Sequence, residues 1–216
     1  MDSVVRYGAA TRLVHWVIAL LFVLLFLGGL ALFHPGFFWL AGIFGGGTWL
    51  RILHPFFGAA LLVLFLGYGA GIWRENLLLP SDRAWLKNAV AVMTKRKELP
   101  VEGKYNAGQK VMFWWMLLSI VGLAASGVVL WRPYFADSFG ADLRALATAV
   151  HVFFAFLMFA AIGVHVYAAF FTKGSISAML RGTVTRRWAR FHHPGWYREV
   201  AAHEGAAHHE KESKGA

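Results

Sequence analysis

Residues 145–171 read ALATAVHVFFAFLMFAAIGVHVYAAFF, an apolar run that contains no Asp, Glu, Lys or Arg. About 20 helical residues cross a bilayer core of about 30 Å, so this run is long enough to span a membrane. It also carries two histidines, His151 and His165. Ionisable side chains at such depth are costly and usually functional. The stretch therefore predicts a membrane-spanning helix that contributes to a functional site.

Three further runs also lack charged residues and are long enough to span a membrane, at residues 13–33, 52–73 and 111–131. The first is too long, and its small-residue cleavage pattern too poor, for a secretory signal peptide. The sequence therefore predicts an all-α membrane protein: a four-helix transmembrane bundle that forms one domain over residues 1–200.

The composition of the 216 residues excludes an ordinary soluble domain. Hydrophobic residues make up 58% and charged residues 15%, whereas soluble domains have nearer half and a quarter. The chain has no cysteine, which excludes disulfides, thiolate iron–sulfur ligation, covalently attached c-type haem and Cys-based zinc sites. Histidine, with 10 residues, is the plentiful metal ligand that suits a buried site.

The net charge of +10 indicates membrane orientation. Two of the 21 Lys and Arg residues precede the first run, eight lie between the second and third, and eight follow the fourth. By the positive-inside rule, both termini are expected in the cytoplasm. We therefore expect no nucleic-acid binding. The loops expected outside hold three arginines, which are candidates for haem propionates or subunit contacts: Arg51, Arg132 and Arg144.

Four histidines within the runs sort into two levels once this topology is applied. His54 and His151 lie near the starts of the second and fourth helices, toward the outer face. His15 and His165 lie toward the cytoplasm. The 14 residues between His151 and His165 span about 21 Å of helix and return the side chain to within about 40° of the same face.

Paired imidazoles at two depths predict two b-type haems with bis-histidine ligation. Neutral imidazole is a common metal ligand and no thiolate competes with it. Two glycines near the ligands, Gly58 and Gly163, would let a flat macrocycle approach the backbone. Pro55 is expected in the first turn of the second helix, where its missing N–H costs little. The other six histidines are expected at the surface: His34, His192, His193, His203, His208 and His209.

Haems with both axial positions filled transfer single electrons. The sequence has no flavin, nucleotide or iron–sulfur motif, so one end of the electron path must be another subunit. The other end could be a quinone at residues 104–110 (KYNAGQK), where Asn106 and Gln109 offer amide groups. The alternative is a helix N-cap flanked by snorkelling lysines, and the sequence favours neither.

Outside the four runs, the pattern is less informative. Residues 74–110 form an amphipathic loop that predicts a short surface helix over residues 84–93. Residues 201–216 have no apolar periodicity and are expected to be a disordered cytoplasmic tail. The loop at Gly45, Gly46 and Gly47 matches no pattern that we can assign.

The chain resembles the gamma subunit of membrane-bound respiratory formate dehydrogenases, a di-haem cytochrome b. The first helix matches through His15-Trp16, which many di-haem cytochromes b share. The more specific matching stretches are RILHPFFG (51–58), GKYNAGQK (103–110), WRPYFA (131–136), GTVTRRWA (182–189) and HHPGWYRE (192–199).

The resemblance implies that His54 and His151 ligate an outer haem and that His15 and His165 ligate an inner haem. It also implies that Asn106, Gly108 and Gln109 border a quinone site for menaquinone or ubiquinone. The expected partners are an iron–sulfur (beta) subunit and a molybdenum- or tungsten-containing catalytic (alpha) subunit, which would oxidise formate. The chain would lie in the lipid of the bacterial inner membrane and pass electrons inward, contributing to proton-motive force.

Two alternatives stay open at this stage. The nearest is the cytochrome b subunit of a hydrogenase or of a thiosulfate/polysulfide reductase, which would share the haems but differ in its electron donor or acceptor. The other is a transporter or a haem-free membrane anchor. Cation and proton transporters usually place carboxylates within their helices, and the four apolar runs contain none.

Overall fold

The computed structural model describes residues 3–94, 99, 101–172 and 174–214. Four cations from the charge pattern lie outside these residues: Lys95, Arg96, Lys97 and Lys173. The described chain contains β1 (Ser3–Val5), α1 (Ala9–Phe33), α2 (Gly47–Ile72), α3 (Asp82–Lys87), α4 (Ala89–Met93), α5 (Ala107–Leu130), α6 (Ala141–Phe171), α7 (Ser175–Arg181), β2 (Thr183–Thr185), α8 (Arg186–His192) and α9 (Pro194–Lys214). Short 3₁₀ helices cover Pro35–Phe44, Arg74–Asn76 and Ala136–Ser138.

Within the described residues, the four helices long and apolar enough to cross a membrane are α1, α2, α5 and α6. They are the four predicted spans, and their ends differ from the predicted ends by no more than one residue. Each begins four or five residues earlier than predicted. The prediction counted only the uncharged run, whereas the helices continue into polar residues such as Thr48, Gln109 and Asp142.

The four spans meet in a bundle unit that comprises Ala10–Gly71 and Trp114–Val166. Its buried positions include small residues such as Gly28, Ala31 and Ala161. Helix association in lipid depends on close packing, which small residues allow. Large apolar side chains face outward instead: Phe153 is 58% exposed and Phe156 is 60% exposed. Such a surface is suited to lipid.

The connection from α1 to α2 gives the glycine loop a structural role. Gly45 and Gly46 have φ angles of 85° and 103°, in the left-handed region that favours glycine. They end the 3₁₀ helix Pro35–Phe44, and the Gly46 N–H donates to the Ala41 carbonyl at 2.9 Å. The chain can therefore turn sharply into α2, which begins at Gly47.

The early start of α2 corrects the placement of Pro55. This proline lies inside the helix, eight residues after Gly47, and not in the first turn. Because proline has no N–H, the Arg51 carbonyl lacks its usual hydrogen-bond donor four residues on. The interruption falls directly after His54.

The remaining residues form a terminal unit, which comprises residues 1–9, Ile72–Phe113 and residues 167–216. Here β1 pairs with β2 in antiparallel register, with Val4 opposite Val184. These two valines pack with Ala178, Ala189 and Trp196 in a small hydrophobic core. The segment before α1 therefore lies together with the segment after α6.

Two predictions for the terminal unit meet different outcomes. The surface helix predicted over residues 84–93 is present as α3 and α4, separated at Asn88. Residues 201–214, expected to be disordered, belong to α9. Absence of an apolar face does not prevent a helix when the residues are strong helix formers such as Ala, Glu and Lys.

Candidate functional site: two intramembrane histidine pairs

The outer pair consists of His54 on α2 and His151 on α6. Their ring centroids are 6.4 Å apart and their planes are inclined by 59°. Both residues belong to the bundle unit. The structure therefore brings these two sequence-predicted site residues together across the bundle.

The inner pair consists of His15 on α1 and His165 on α6, with ring centroids 6.2 Å apart and planes inclined by 44°. The Trp16 ring contacts the His15 ring edge-on at 5.2 Å. Helix α6 thus supplies one histidine to each pair, and the two pairs lie at different levels of the same helix.

The spacing of both pairs fits a single metal ion held between two imidazoles. A bond from imidazole nitrogen to a first-row metal is about 2 Å. Two such bonds and the distance from nitrogen to centroid in each ring together span roughly 6 Å. Both pairs have this separation. The donor set, two neutral imidazoles without a thiolate or carboxylate, is typical of low-spin haem.

Glycines surround the outer pair closely. A Cβ atom on Gly28 would lie 3.3 Å from His54 Nδ1 and 2.8 Å from Leu50 Cδ1. A Cβ atom on Gly127 would lie 3.5 Å from His151 Cε1. The sequence analysis missed both glycines, although the Gly28-Gly29 pair inside an apolar run could have revealed a close approach. The two glycines it named have more room: the nearest atom to a Cβ on Gly58 is 4.0 Å away, and none lies within 4 Å of one on Gly163.

A serine on α5 also contacts the outer pair. Ser126 Oγ lies 2.9 Å from His151 Nδ1, and the serine is only 5% exposed. The sequence analysis missed this residue because serine is common at helix interfaces in membranes. Sequence alone gives no sign that it faces a histidine.

The three outer-loop arginines differ in their contacts. Arg144 Nη1 donates to the carbonyls of Ala136 (3.0 Å) and Phe139 (2.7 Å), so it clamps the loop before α6. Arg51 lines a cavity of about 340 Å³ together with Ala31, Leu32, Pro35 and Phe38. Arg132 is exposed. Arg51 is exposed as well, so both stay candidates for an anionic group.

The segment predicted to border a quinone begins α5 in the terminal unit. The Gln109 N–H donates to Asn106 Oδ1, and the Asn106 N–H donates to Gln109 Oε1, both at 2.9 Å. This reciprocal pair is a capping box. The two side-chain amide oxygens therefore cap the start of α5, as the N-cap alternative predicted. The NH₂ groups of both side chains take no part in it.

Two contacts position this segment. Gly108 lies against the Trp85 ring, since a Cβ atom there would be 2.5 Å from Trp85 Cη2. Lys110 Nζ pairs with Asp82 Oδ2 at 2.8 Å, and the lysine is 2% exposed. The start of α5 is therefore fixed to α3 by one ring contact and one buried ion pair.

His193, expected at the surface, is buried at 5% exposure. Its Nε2 lies 3.2 Å from Arg6 Nη2, and its Nδ1 lies 3.3 Å from the Gly103 carbonyl. Because the guanidinium can only donate, Nε2 accepts and Nδ1 carries the proton. Burial and the Arg6 charge lower the pKa of His193 to about 3. The sequence-based prediction of a surface position was wrong because a basic, His-rich segment is typical of a solvated surface.

Comparisons with known proteins agree with the geometry. Residues 6–182 match the family described as prokaryotic cytochrome b561. The chain is 42% identical over 199 residues to the formate dehydrogenase cytochrome b556(fdo) subunit of Escherichia coli (strain K12), covering 92% of this chain and 94% of that relative. It is 40% identical to the nitrate-inducible cytochrome b556(Fdn) subunit of the same strain, covering 91% of each chain. The formate dehydrogenase cytochrome b556 subunit of Haemophilus influenzae is 36% identical, covering 91% of this chain and 83% of that relative.

Proposed function

The chain belongs to the prokaryotic cytochrome b561 family, and from that membership we propose that its four intramembrane histidines hold two b-type haems. His54 and His151 would ligate the outer haem, and His15 and His165 the inner one. The observation that carries the proposal is the pairing itself: two imidazole pairs, with centroids 6.4 Å and 6.2 Å apart, share helix α6.

We further propose that this chain is the membrane-anchoring cytochrome b subunit of a formate dehydrogenase. Its relatives named above carry that description over most of their length. The partners would be an iron–sulfur subunit and a molybdenum- or tungsten-containing subunit that oxidises formate. The chain itself would accept electrons and deliver them to quinone.

The proposed direction of electron transfer follows from the expected orientation. The pairing of β1 with β2 supports placing both ends of the chain on one side of the membrane, and the positive-inside rule assigns that side to the cytoplasm. The bound haems would supply one-electron transfer at two depths. Moving one charge against 100 mV costs about 2.3 kcal/mol, so inward transfer to a cytoplasmic quinone would contribute to proton-motive force in the bacterial inner membrane.

Asn106, Gly108 and Gln109 remain our proposed border of the quinone site. Because the capping box uses only the amide oxygens, the two NH₂ groups can still donate to a quinone carbonyl. Gly108 has no side chain, and the Trp85 ring packs where one would lie. Menaquinone and ubiquinone both carry the carbonyls that such donors would bind.

A pyridine haemochrome assay on the purified full-length chain tests the haem proposal. We expect two b-type haems per chain in the unaltered protein and one in His54→Ala, which should lose the outer haem. His34→Ala is the matched control, because His34 lies outside the spans and caps the 3₁₀ helix by accepting from the Gly36 N–H. One haem or none in the unaltered protein would contradict the proposal.

The complex that the chain joins is tested separately. In the intact complex, formate alone should reduce both haems in a reduced-minus-oxidised spectrum. If both haems are present but stay oxidised with formate while an added chemical reductant reduces them, the haem assignment stands and the formate assignment fails. A hydrogenase or thiosulfate/polysulfide partner would then be the alternative to examine.

A further inference from the structure

Ser126 is the side chain outside the four histidines that makes the closest polar contact with the outer pair. Its hydroxyl lies 2.9 Å from His151 Nδ1 and 2.7 Å from the Gly122 carbonyl, one turn earlier on α5. Only 5% of the serine is exposed, so water cannot readily replace either contact. The hydroxyl therefore bridges the backbone of α5 and the imidazole on α6.

The direction of these hydrogen bonds follows from the acceptors available. The Gly122 carbonyl can only accept, so the serine O–H donates to it, as buried serines in helices commonly do. The oxygen lone pairs then face His151 Nδ1, and the Leu123 carbonyl, which also hydrogen-bonds this histidine, can likewise only accept, so Nδ1 carries the proton. Nδ1 is thus occupied, and the free lone pair of the imidazole is on Nε2.

This tautomer is the one that metal ligation through Nε2 requires. A neutral imidazole binds a metal through its unprotonated nitrogen, and the hydrogen bond made by the other nitrogen fixes which one that is. The same hydrogen bond raises the basicity of the ligand. A more basic ligand stabilises ferric over ferrous iron, which lowers the potential of the metal.

One ligand of the inner pair, His15 on α1, lacks such a contact. His15 Nδ1 is buried, and within the described part of the chain it has no hydrogen-bond partner. The two sites therefore have the same donor set, but the hydrogen bonding of Nδ1 differs for at least one ligand. The difference favours a lower potential at the outer site.

Resting on the proposed function, we propose that Ser126 is a positioning residue that, together with the Leu123 carbonyl, holds the Nδ1-protonated tautomer of His151 and lowers the potential of the outer haem. A lower outer potential would make electron transfer from the outer to the inner site downhill. The serine would act through His151 without touching the haem iron or the electron donor.

The test is a redox titration of the two haems in the intact complex, with the outer component identified as the one absent in His54→Ala. In Ser126→Ala we expect both haems to be retained and the outer component to titrate at higher potential. At a fixed ambient potential its oxidised-to-reduced ratio should fall by about threefold to tenfold, the range over which one ordinary hydrogen bond alters an equilibrium. The low-spin EPR g-values of the outer haem should change in the same variant.

Two further variants separate the hydroxyl from the bulk of the side chain. Ser126→Thr keeps the hydroxyl and should restore the original potential. Ser119→Ala removes a second buried serine from α5, whose hydroxyl donates to the Trp115 carbonyl at 2.9 Å. That variant should leave the outer component unchanged, because Ser119 has no hydrogen bond to a histidine within the described residues.

The proposal and the proposed function fail in different ways. The role of the hydroxyl would be overturned if the outer haem potential did not shift in Ser126→Ala, or if Ser126→Thr shifted it as much as Ser126→Ala does. In either case, the presence of two haems would still support the proposed function. Loss of the outer haem in Ser126→Ala alone would also overturn it, since the serine would then be needed for assembly. An unaltered complex without paired haems would instead overturn the proposed function.

Discussion

At the scale of single residues, Arg6 and His193 show how a charge can be buried without a carboxylate. The Arg6 guanidinium lies 4.9 Å from the centre of the Trp196 ring and 5.1 Å from that of Trp188. It donates to the Lys104 carbonyl at 2.7 Å and to His193 Nε2 at 3.2 Å. Within the described residues, cation–π contacts and neutral acceptors therefore take the place of an ion pair, on condition that His193 stays neutral.

That condition predicts a pH-dependent stability of the terminal unit. The pKa of His193 is lowered from 6.5 to about 3 in the folded chain, so the unfolded state binds more protons between these two values. Stability should be complete above about pH 6.5 and fall by about 1.4 kcal/mol per pH unit toward pH 3. Hydrogen exchange of the β1 and β2 amides as a function of pH measures this directly.

Two variants control for other titrating groups. His193→Gln keeps an acceptor for Arg6 but cannot titrate, so its exchange should depend less on pH over this range. His203→Gln removes an exposed histidine of the same unit and should behave like the unaltered chain. The same acid sensitivity in His193→Gln would show that another group is responsible.

Single residues also mark where sequence reasoning ends. The pairing of the four histidines follows from helix direction and a spacing of 14 residues, so it could be predicted before the structure. The contact of Ser126 with His151 and the burial of His193 could not, because they depend on the rotation of neighbouring helices and on chain segments far apart in sequence. No local sequence pattern indicates this contact or this burial.

At the scale of secondary structure, composition predicted the interior of each span better than its start. Apolar residues decide which part of a helix lies in the membrane, whereas caps and turns decide where the helix begins. Gly45 and Gly46 start α2 earlier than the apolar run does, and the capping box at Asn106 does the same for α5. Helix α9 packs Trp196 into the core of the terminal unit and continues to Lys214 through residues that are strong helix formers.

The capping box at the start of α5 allows a prediction that separates a structural role from quinone binding. Asn106→Ser keeps an N-cap oxygen for the Gln109 N–H but removes the carboxamide NH₂. If the NH₂ binds quinone, this variant should keep its stability, leave both haems reducible by formate, and reduce quinone more slowly. Steady-state quinone reduction and thermal unfolding of the intact complex measure the two effects.

Gln109→Glu is the equivalent test at Gln109. A glutamate still accepts from the Asn106 N–H and so completes the capping box, but it has no NH₂ group. Asn106→Ala is the control for the cap itself and should cost about 1 kcal/mol of stability. Normal quinone reduction in both Asn106→Ser and Gln109→Glu would leave the segment with the N-cap role alone and place the quinone elsewhere.

At the scale of the whole molecule, orientation decides whether electron transfer stores energy. The direction proposed above depends on the terminal unit facing the cytoplasm and on the α5–α6 loop facing outward. This orientation is inferred from 18 of the 21 Lys and Arg residues, which lie before residue 13, between residues 73 and 111, or after residue 171. The pairing of β1 with β2 independently joins the first and last of these segments.

Because the chain has no cysteine, labelling of a single introduced cysteine can report this orientation. No other residue of the chain would contribute thiol labelling. Ser138→Cys lies exposed at the end of the 3₁₀ helix Ala136–Ser138, and Ser3→Cys lies exposed at the start of β1. In spheroplasts, a membrane-impermeant maleimide should label Ser138→Cys at once and Ser3→Cys only after lysis. Labelling in the reverse order would place the terminal unit outside, and electron transfer from His54 and His151 toward His15 and His165 would then dissipate the membrane potential.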